Sequence, residues 1–467
     1  MRIWLYSGSI VFGILIGVFV WFYQFSATPP EEAYGRPNII FLSFCSMRAD
    51  EIGLLSEGAP SLTPVIDKAF EKGFIFKNAY SSYGWTNMAS ALFESFDNKF
   101  LAPLGYDYLS PLWPSPSYWV PTPKNLVKNP IPVIEQYTNE FKTYYSELKK
   151  MLIRPRKKPF IIFVHTKYLH YPYIDSTNEN SNWDQYLSAD EKKYAIELMS
   201  HPEKYPLDLP APLILKGSSN ILEKFPQWRS DAKSSMLKFN DQYHLFSDVG
   251  FMGPWRSSIN YKKDLEIIRK VYRAKLHYLD HELKDILNLY GDPNLQENTV
   301  IILTGDHGES LMEHNILGHA ANIYDEVMRF PLMVKFPRSK LTEKVVIHNQ
   351  FYQGTFKKIM KDIMTGNINE ENFYAKVIGD EKNKKIIMRN CENTIQGVRS
   401  NNEWKYIKNY KSGEISLYDL IRDPVEKNDV KKDHPSVAAQ LELVLTISRG
   451  QMEKITDFSP CDFNKIN

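Results

Sequence analysis

An aspartate and a histidine stand side by side in the stretch Thr304-Gly305-Asp306-His307-Gly308, directly after the apolar run 300–303. Carboxylate oxygens and imidazole nitrogens are common ligands of divalent metal ions. A β-branched run that is broken by Gly-Asp-His-Gly predicts a buried strand with both side chains at its carboxyl end. Ligands of open α/β sheets bind at that end, so this stretch is the first candidate for a functional site. The alternative is an acidic, solvent-exposed turn.

The elements around this stretch alternate between strands and helices. The predicted strands are residues 38–44, 74–80 and 160–164, and the predicted helices are 65–72 and 263–290. The first and last of these strands contain continuous apolar runs, the pattern of strands buried on both faces of a parallel sheet. Thr63 and Pro64 are typical of a helix start. The alternation predicts an α/β sandwich with a largely parallel central sheet.

The amino-terminal segment, residues 3–25, contains no charged residue and is long enough to cross a bilayer as one helix. We interpret residues 1–27 as an uncleaved membrane anchor and residues 28–36 as a linker. Arg2 precedes the apolar segment and acidic residues follow it, which predicts a single-pass protein whose main domain lies outside the cytoplasm, periplasmic or extracellular. A cleaved signal peptide is the alternative, although Phe25-Ser26-Ala27 forms a poor cleavage site.

The composition suits a large folded domain and gives no sign of a nucleic-acid partner. The chain has 467 residues, of which 43% are hydrophobic, and a formal net charge of +2. A chain of this length can bury a large core. Its lysines and arginines are scattered, so the sequence contains no basic stripe that would follow a phosphate backbone.

Short motifs occur in order along residues 36–430. They are Arg36-Pro37-Asn38-Ile39-Ile40, Arg48-Ala49-Asp50, Leu62-Thr63-Pro64, Phe76-Lys77-Asn78-Ala79-Tyr80, Trp85-Thr86, His165 with His170-Tyr171-Pro172-Tyr173, Thr304-Gly305-Asp306-His307-Gly308-Glu309, Gly318-His319, Tyr324-Asp325-Glu326, Arg329-Phe330-Pro331 and Leu417-Tyr418-Asp419-Leu420 with Asp423-Pro424. Together they resemble the sulfatase family of the alkaline phosphatase superfamily. The resemblance implies an alkaline phosphatase-like α/β sandwich with a smaller C-terminal sheet, to which residues 396–399 and 404–407 are similar.

The resemblance also implies a domain organisation. Residues 37–345 are expected to form the sulfatase-like catalytic-type domain, and residues 346–467 a C-terminal subdomain. Two intervals, 97–132 and 175–261, are rich in prolines and lack periodicity, so they are interpreted as insertions into the larger domain.

The site implied by the resemblance is a divalent metal ion beside a nucleophile that attacks a phosphate or sulfate ester. Asp306 and His307 match two of the metal ligands, and Thr86 matches the nucleophile. A metal ion neutralises charge on the transferring group and lowers the pKa of the nucleophile. The expected substrate is therefore an anionic ester, with a glycan or a lipid headgroup as the carrier.

Four further polar side chains are assigned to the same site by the resemblance. His170 and His319 match positions that contact the transferring group or the leaving oxygen, where histidine can exchange a proton near neutral pH. Asn87 and His165 are assigned to substrate binding.

The chain departs from the family pattern at two places. Cys45 and Ser46 occupy the positions of metal-binding aspartates, and Thr86-Asn87-Met88-Ala89-Ser90 replaces the signature Cys-x-Pro-Ser-Arg, so a formylglycine mechanism is not expected. Two interpretations of Cys45 stand. It can bind a metal ion as a thiolate, which favours Zn²⁺ over Ca²⁺ or Mg²⁺, or it can be a small buried residue in a site that has lost its metal.

These departures leave two functions open. The first is a membrane-anchored, metal-assisted hydrolase or transferase that uses Thr86; the second is a catalytically inactive relative that serves as a binding or assembly module of the envelope. Glu309, Glu313 and His314 follow the Asp-His pair with near-helical spacing. They can contact and orient the metal ligands, but a solvent-exposed helix face is the favoured prediction. Arg48 and Asp50 are predicted to tie the first loop together.

Overall fold

The computed structural model describes residues 36–56, 60–84, 101–109, 150, 152, 156–166, 168–169, 173, 183–200, 261–289, 295, 297–311, 313–319, 322–381, 385–390 and 393–452. Within these ranges, no helix combines the length and the apolar character needed to cross a bilayer. The predicted anchor, residues 3–25, and the predicted site residues Thr86, Asn87 and His170 lie outside the described residues.

A seven-stranded sheet forms the centre of the larger domain. Its strands are β1 (Asn38–Phe44), β2 (Phe74–Tyr80), β3 (Asp107–Leu109), β4 (Phe160–Thr166), β5 (Thr299–Gly305), β8 (Leu332–Lys335) and β9 (Val345–Tyr352). They lie in the order β3-β4-β1-β5-β8-β2-β9. All neighbours pair in parallel except β8, which is antiparallel to both β5 and β2. The prediction of a largely parallel central sheet is confirmed.

Helices cover both faces of this sheet because alternate residues of its central strands are apolar on each side. Ile40 and Leu42 of β1 face a core shared with α1 (Pro64–Phe70), α2 (Ala189–Ser200) and α3 (Tyr261–Leu289). Ile39 and Phe41 face a second core shared with α5 (Phe356–Met364) and α6 (Glu370–Glu381). The domain is therefore a three-layer sandwich.

The register of the three central strands places their carboxyl ends together. Ser43 pairs with His165 of β4 on one side and with Thr304 of β5 on the other. Beyond β1, the Cys45 N–H donates to the carbonyl oxygen of Thr166 over 2.9 Å. Side chains that follow β1 and β5 and side chains near the end of β4 are thus brought to one edge of the sheet.

A smaller antiparallel sheet of four strands follows in the chain. Its strands are β10 (Lys385–Arg389), β11 (Ile395–Ser400), β12 (Trp404–Asn409) and β13 (Ile415–Asp419), and α7 (Pro435–Met452) packs against it. The predicted smaller C-terminal sheet is confirmed. The seven-stranded sheet itself continues through β9, beyond residue 345, where the sequence analysis ends the larger domain. The short strands β6 (Ser310–Leu311) and β7 (Leu317–Gly318) and the one-turn helix α4 (Asp325–Met328) lie between β5 and β8.

Candidate active site

Three side chains from the ends of the central strands converge at the carboxyl edge of the sheet. They are Cys45 after β1, His165 of β4 and Asp306 after β5, and one potential ligand atom of each lies within 4.8 Å of the others. Cys45 and Asp306 are fully buried, and the His165 side chain is 7% exposed. The Nε2 atom of His165 lies 3.9 Å from Oδ2 of Asp306. A thiol, an imidazole and a carboxylate therefore share one small volume.

A constrained turn carries Cys45 into this position. The next residue, Ser46, has a φ of 60°, a left-handed conformation that is uncommon for a residue with a side chain. The Tyr272 hydroxyl of α3 donates to the carbonyl oxygen of Ser46 over 2.9 Å and accepts from the Arg48 N–H over 2.9 Å. The Ser46 N–H donates to Oδ1 of Asp306 over 3.3 Å. The turn is thus held by both the long helix and the aspartate.

The two carboxylate oxygens of Asp306 have different surroundings. Oδ1 accepts hydrogen bonds from the Ser46 N–H and from the His307 N–H, the latter over 2.8 Å. Oδ2 is buried and has no hydrogen-bond partner among the described residues. A buried carboxylate oxygen without a donor is costly unless a cation binds it. Oδ2 is therefore the atom of Asp306 that fits a metal ion.

His307 is oriented for the same role. Its Nδ1 lies 2.7 Å from the Gly308 carbonyl oxygen, which can only accept, so Nδ1 carries the proton and Nε2 the lone pair. Nε2 lies 3.5 Å from Oδ2 of Asp306 and 3.9 Å from Sγ of Cys45. An imidazole held in this tautomer can bind a metal ion through Nε2.

The protonation states of the pair suit a cation. Burial lowers the pKa of His307 to about 4, so the ring is neutral near neutral pH. Burial opposes the ionisation of Asp306, but the neighbouring His307 and His165 rings and the His307 N–H outweigh it and hold the pKa of Asp306 below its usual value. An ionised carboxylate beside a neutral imidazole is the state in which both groups bind metal.

Gly308 lets the loop after β5 pack against α4. A Cβ atom at this position would lie 2.2 Å from the carbonyl oxygen of Glu326. The Gly308 N–H donates to the carbonyl oxygen of Val327 over 2.7 Å, and the Glu309 N–H donates to that of Glu326 over 2.9 Å. The main chain of α4 therefore holds the segment that carries Asp306 and His307.

His319 lies at the same site, together with a buried acid. Its ring centroid is 4.3 Å from that of His307, and its Nδ1 lies 3.1 Å from Oε2 of Glu309 and 3.5 Å from Oγ of Ser46. Glu309 and His319 are both fully buried. The prediction that Glu309 is solvent-exposed is wrong, because the chain turns into β6 here and folds the carboxylate inward against His319.

The other predictions for this region have mixed outcomes. Glu313 and His314 lie in a 3-10 turn, Glu313–Asn315, and their side chains are only 26% and 15% exposed, so the predicted exposed helix face is wrong. The tie between Arg48 and Asp50 is confirmed by hydrogen bonds of 3.0 and 2.6 Å. Arg48 also donates to the Glu309 carbonyl oxygen over 2.9 Å, which links the first loop to the loop after β5.

The structure brings together five of the predicted site residues: Cys45, His165, Asp306, His307 and His319. It also adds three side chains that the sequence analysis missed. Ser43 contacts His165, Tyr272 holds the turn after β1, and Gln353 donates to the Asp306 carbonyl oxygen over 3.2 Å. Of these three, only Ser43 could have been noticed in the sequence, because it is a polar residue within an apolar strand.

The fold and site define an alkaline phosphatase-like α/β sandwich with metal-type ligands at the ends of its central strands. A family model described as Sulfatase matches residues 103–357, which is more than half of the chain. The chain belongs to the sulfatase family of the alkaline phosphatase superfamily.

Individual relatives are distant. The N-acetylgalactosamine-6-O-sulfatase of Bacteroides thetaiotaomicron is 25% identical over 203 residues, which are 36% of this chain and 39% of that protein. This chain spans less than half the length of the curated relatives that it matches.

Two solved structures share the fold over most of their length. One, solved in complex with its substrate D-glucosamine-2-N,6-O-disulfate, has a TM-score of 0.58 at 16% identity and covers 92% of this chain and 100% of its own. The other, the phosphonate monoester hydrolase of Agrobacterium radiobacter, has a TM-score of 0.57 at 16% identity and covers 89% and 96%. At this identity the likeness shows the fold alone.

Proposed function

We propose that this protein is a membrane-anchored hydrolase or transferase that acts on a phosphate or sulfate ester, with Thr86 as the nucleophile and a divalent metal ion bound by Asp306, His307 and Cys45. The buried donor cluster at the ends of β1 and β5 is the observation that carries the proposal. Oδ2 of Asp306 lacks a hydrogen-bond donor among the described residues, and it would bind such an ion directly.

The donor set favours zinc. Cys45 contributes sulfur and His307 contributes nitrogen, whereas Ca²⁺ and Mg²⁺ prefer oxygen ligands throughout. When bound, the ion supplies charge neutralisation at the transferring group and a lowered pKa at the nucleophile. The role of Thr86 rests on its match to the nucleophile position of phospho-transferring relatives of the sulfatases.

The remaining residues of the proposed site bind the substrate and move its proton. His319 contacts the transferring group or the leaving oxygen, and Glu309 holds its ring in place through the 3.1 Å contact at Nδ1. Asn87, His165 and His170 are proposed to contact the substrate, on the same resemblance.

The proposed substrate is an anionic ester carried by a glycan or a lipid headgroup. One structural neighbour was solved with a disulfated glucosamine, and another is a phosphonate monoester hydrolase. Phosphate esters and phosphodiesters are favoured over sulfate here, because Thr86-Asn87-Met88-Ala89-Ser90 lacks the formylglycine precursor. A single-pass anchor at residues 3–25, with the main domain outside the cytoplasm, would bring the site to substrates of the envelope.

The proposal is tested with the purified 467-residue chain in detergent, by metal analysis and by assays on phosphomonoesters, phosphodiesters and sulfate esters. About one Zn²⁺ per chain is expected, and Asp306→Asn is expected to lose it. Thr86→Ala should lower kcat by roughly 10³-fold or more, because the covalent step loses its nucleophile. Thr342→Ala, at an exposed position, is the matched control. The proposal would be refuted if the purified wild type contains no metal and the Thr86→Ala variant is as active as the wild type.

A catalytically inactive envelope protein is the second candidate. The replacement of metal-binding aspartates by Cys45 and Ser46, with the missing arginine of the signature, favours it. Binding of a glycan or lipid headgroup by the metal-free protein, without turnover of any ester in the panel, is the outcome that would support this function in place of the first.

A further inference from the structure

His165 lies beside the carboxylate oxygen of Asp306 that fits a metal ion. Its Nε2 is 3.9 Å from Oδ2 of Asp306, the carboxylate oxygen that no described donor contacts. The same oxygen lies 3.5 Å from Nε2 of His307, and that nitrogen lies 3.9 Å from Sγ of Cys45. Ligand atoms of a tetrahedral zinc site are about 3.3–3.8 Å apart, as bond lengths of about 2.0–2.3 Å require. These three distances fall within that range or exceed it by about a tenth of an ångström. The ligand atoms of Cys45, His165 and Asp306 all lie within 4.8 Å of one another, so an ion would draw some of them closer together.

A buried serine holds the His165 ring. Ser43 and His165 are register partners in the neighbouring strands β1 and β4, and Oγ of Ser43 lies 2.9 Å from Nδ1 of His165. Ser43 is fully buried. When Nδ1–H donates to this hydroxyl, Nε2 carries the lone pair that a metal ion requires. Outer contacts of this kind set the tautomer and the ring orientation of histidine ligands.

We infer that His165 is a metal ligand oriented by Ser43, so that Cys45, His165, Asp306 and His307 surround one zinc-class ion. The inference rests on the proposed function in taking the same metal site. It reassigns His165 from substrate contact to a fourth metal ligand and adds Ser43 as an outer positioning residue. Ser43 touches neither the metal nor the substrate and acts through His165.

The charges of the four side chains support this ion. The Cys45 thiolate and the Asp306 carboxylate together carry two negative charges, and the two imidazoles are neutral, so a divalent ion leaves this set of four ligands without net charge. An unbalanced buried charge would be costly. Only one of the four side chains offers oxygen, whereas Ca²⁺ takes about six to eight oxygen ligands. The set therefore selects ions that accept sulfur and nitrogen.

The test measures metal binding by the chelator-treated, refilled 467-residue chain. Zn²⁺ affinity is measured by competition with a chromophoric chelator, and Co²⁺ is used to detect thiolate coordination and a four-coordinate visible spectrum. We expect His165→Ala to weaken Zn²⁺ binding by about 100-fold and Ser43→Ala by about 10–100-fold. Ser43→Thr keeps a hydroxyl and should stay within a few-fold of wild type. His348→Ala, at an exposed position in β9, is the control.

The outcomes separate this inference from the proposed function. Wild-type Zn²⁺ affinity and an unchanged Co²⁺ spectrum in both His165→Ala and Ser43→Ala would overturn the inference, and His165 would then keep its proposed role as a substrate contact. Four-coordinate metal binding would leave the inference standing and overturn the proposed function if the protein turns over no ester in the panel, or if its turnover is unchanged in Thr86→Ala. Circular dichroism of each metal-free variant, matched to metal-free wild type, shows that weakened binding does not come from unfolding.

Discussion

Replacing Lys405 by methionine is expected to destabilise the whole protein, because this buried cation of β12 joins the C-terminal sheet to α4. Its Nζ lies 2.7 Å from Oδ1 of Asp325 and 2.9 Å from Oε1 of Glu426, and its side chain is fully buried. Arg399 pairs with the other oxygen of Asp325 over 3.0 Å. Methionine fills a similar volume, so the main change is the loss of charge.

The expected loss of unfolding free energy in Lys405→Met follows from the two carboxylates that remain. Removing one partner of a buried ion pair costs about 3–5 kcal/mol, since the other charge stays buried without compensation. Arg399 still neutralises Asp325, so most of the loss falls on Glu426. Burial raises the pKa of Glu426 to about 7, against the attraction of Lys405, and the loss of Lys405 should raise this pKa further.

The pH dependence has a definite sign. A carboxyl group whose pKa rises on folding is not penalised below its unfolded pKa, and its destabilising effect grows as the pH rises from the unfolded pKa to the folded pKa. The difference between Lys405→Met and wild type should therefore be largest at about pH 8 and shrink towards about pH 5, where Glu426 is protonated in both folded proteins.

Urea unfolding followed by circular dichroism at both pH values measures this difference. Lys408→Met is the matched control on the same strand, because Lys408 pairs with Glu442 at a partly exposed position, where an ion pair contributes below about 1 kcal/mol. Equal losses for the two variants, or a loss at Lys405 that grows as the pH falls, would refute the reasoning.

Two further substitutions test the supports of the site. Gly308→Ala should lower the metal content and the urea midpoint of unfolding, because the added Cβ would lie 2.2 Å from the Glu326 carbonyl oxygen. Gly379→Ala is the control, because no atom lies within 4 Å of the added Cβ in α6. This control substitution should stabilise the protein by about 0.5–1 kcal/mol. Tyr272→Phe should cost about 1–3 kcal/mol in urea unfolding, because two buried main-chain groups of the turn after β1 lose their partner. Tyr374→Phe, at a residue 43% exposed, should change stability little.

The elements with strong apolar patterns were predictable from the sequence. The strand predicted at residues 38–44 is β1, Asn38–Phe44, and the helix predicted at 263–290 is α3, Tyr261–Leu289. Long apolar runs and sustained helical spacing report burial directly. The helix α2, Ala189–Ser200, went unpredicted within the insertion at 175–261, because its apolar face is weak.

The sequence alone places site residues next to one another only where they lie in the same short chain segment. Asp306 and His307 are adjacent in sequence, so the broken apolar run is enough to place them at a strand end. The contact between Ser43 and His165 depends on the register of two strands that are 122 residues apart. Glu309 was misjudged for a related reason, since its burial comes from His319, a partner on the other side of the β6–β7 turn.

In the proposed metal site, residue 45 is the position at which a substitution would change the metal preference without changing the sheet. The register of β1 against β4 and β5 is set by apolar side chains on both faces of the sheet, and Cys45 lies just beyond the last paired residue. A thiol there has its Sγ 3.9 Å from Nε2 of His307, whereas an aspartate would add a second carboxylate beside Asp306. The ligand set with Cys45 suits a zinc-class ion, and a set with an aspartate at residue 45 would suit a harder ion. On this proposal, the metal preference depends on the side chain after β1 and on the histidines around Asp306, and not on the fold that this chain shares with the sulfatases.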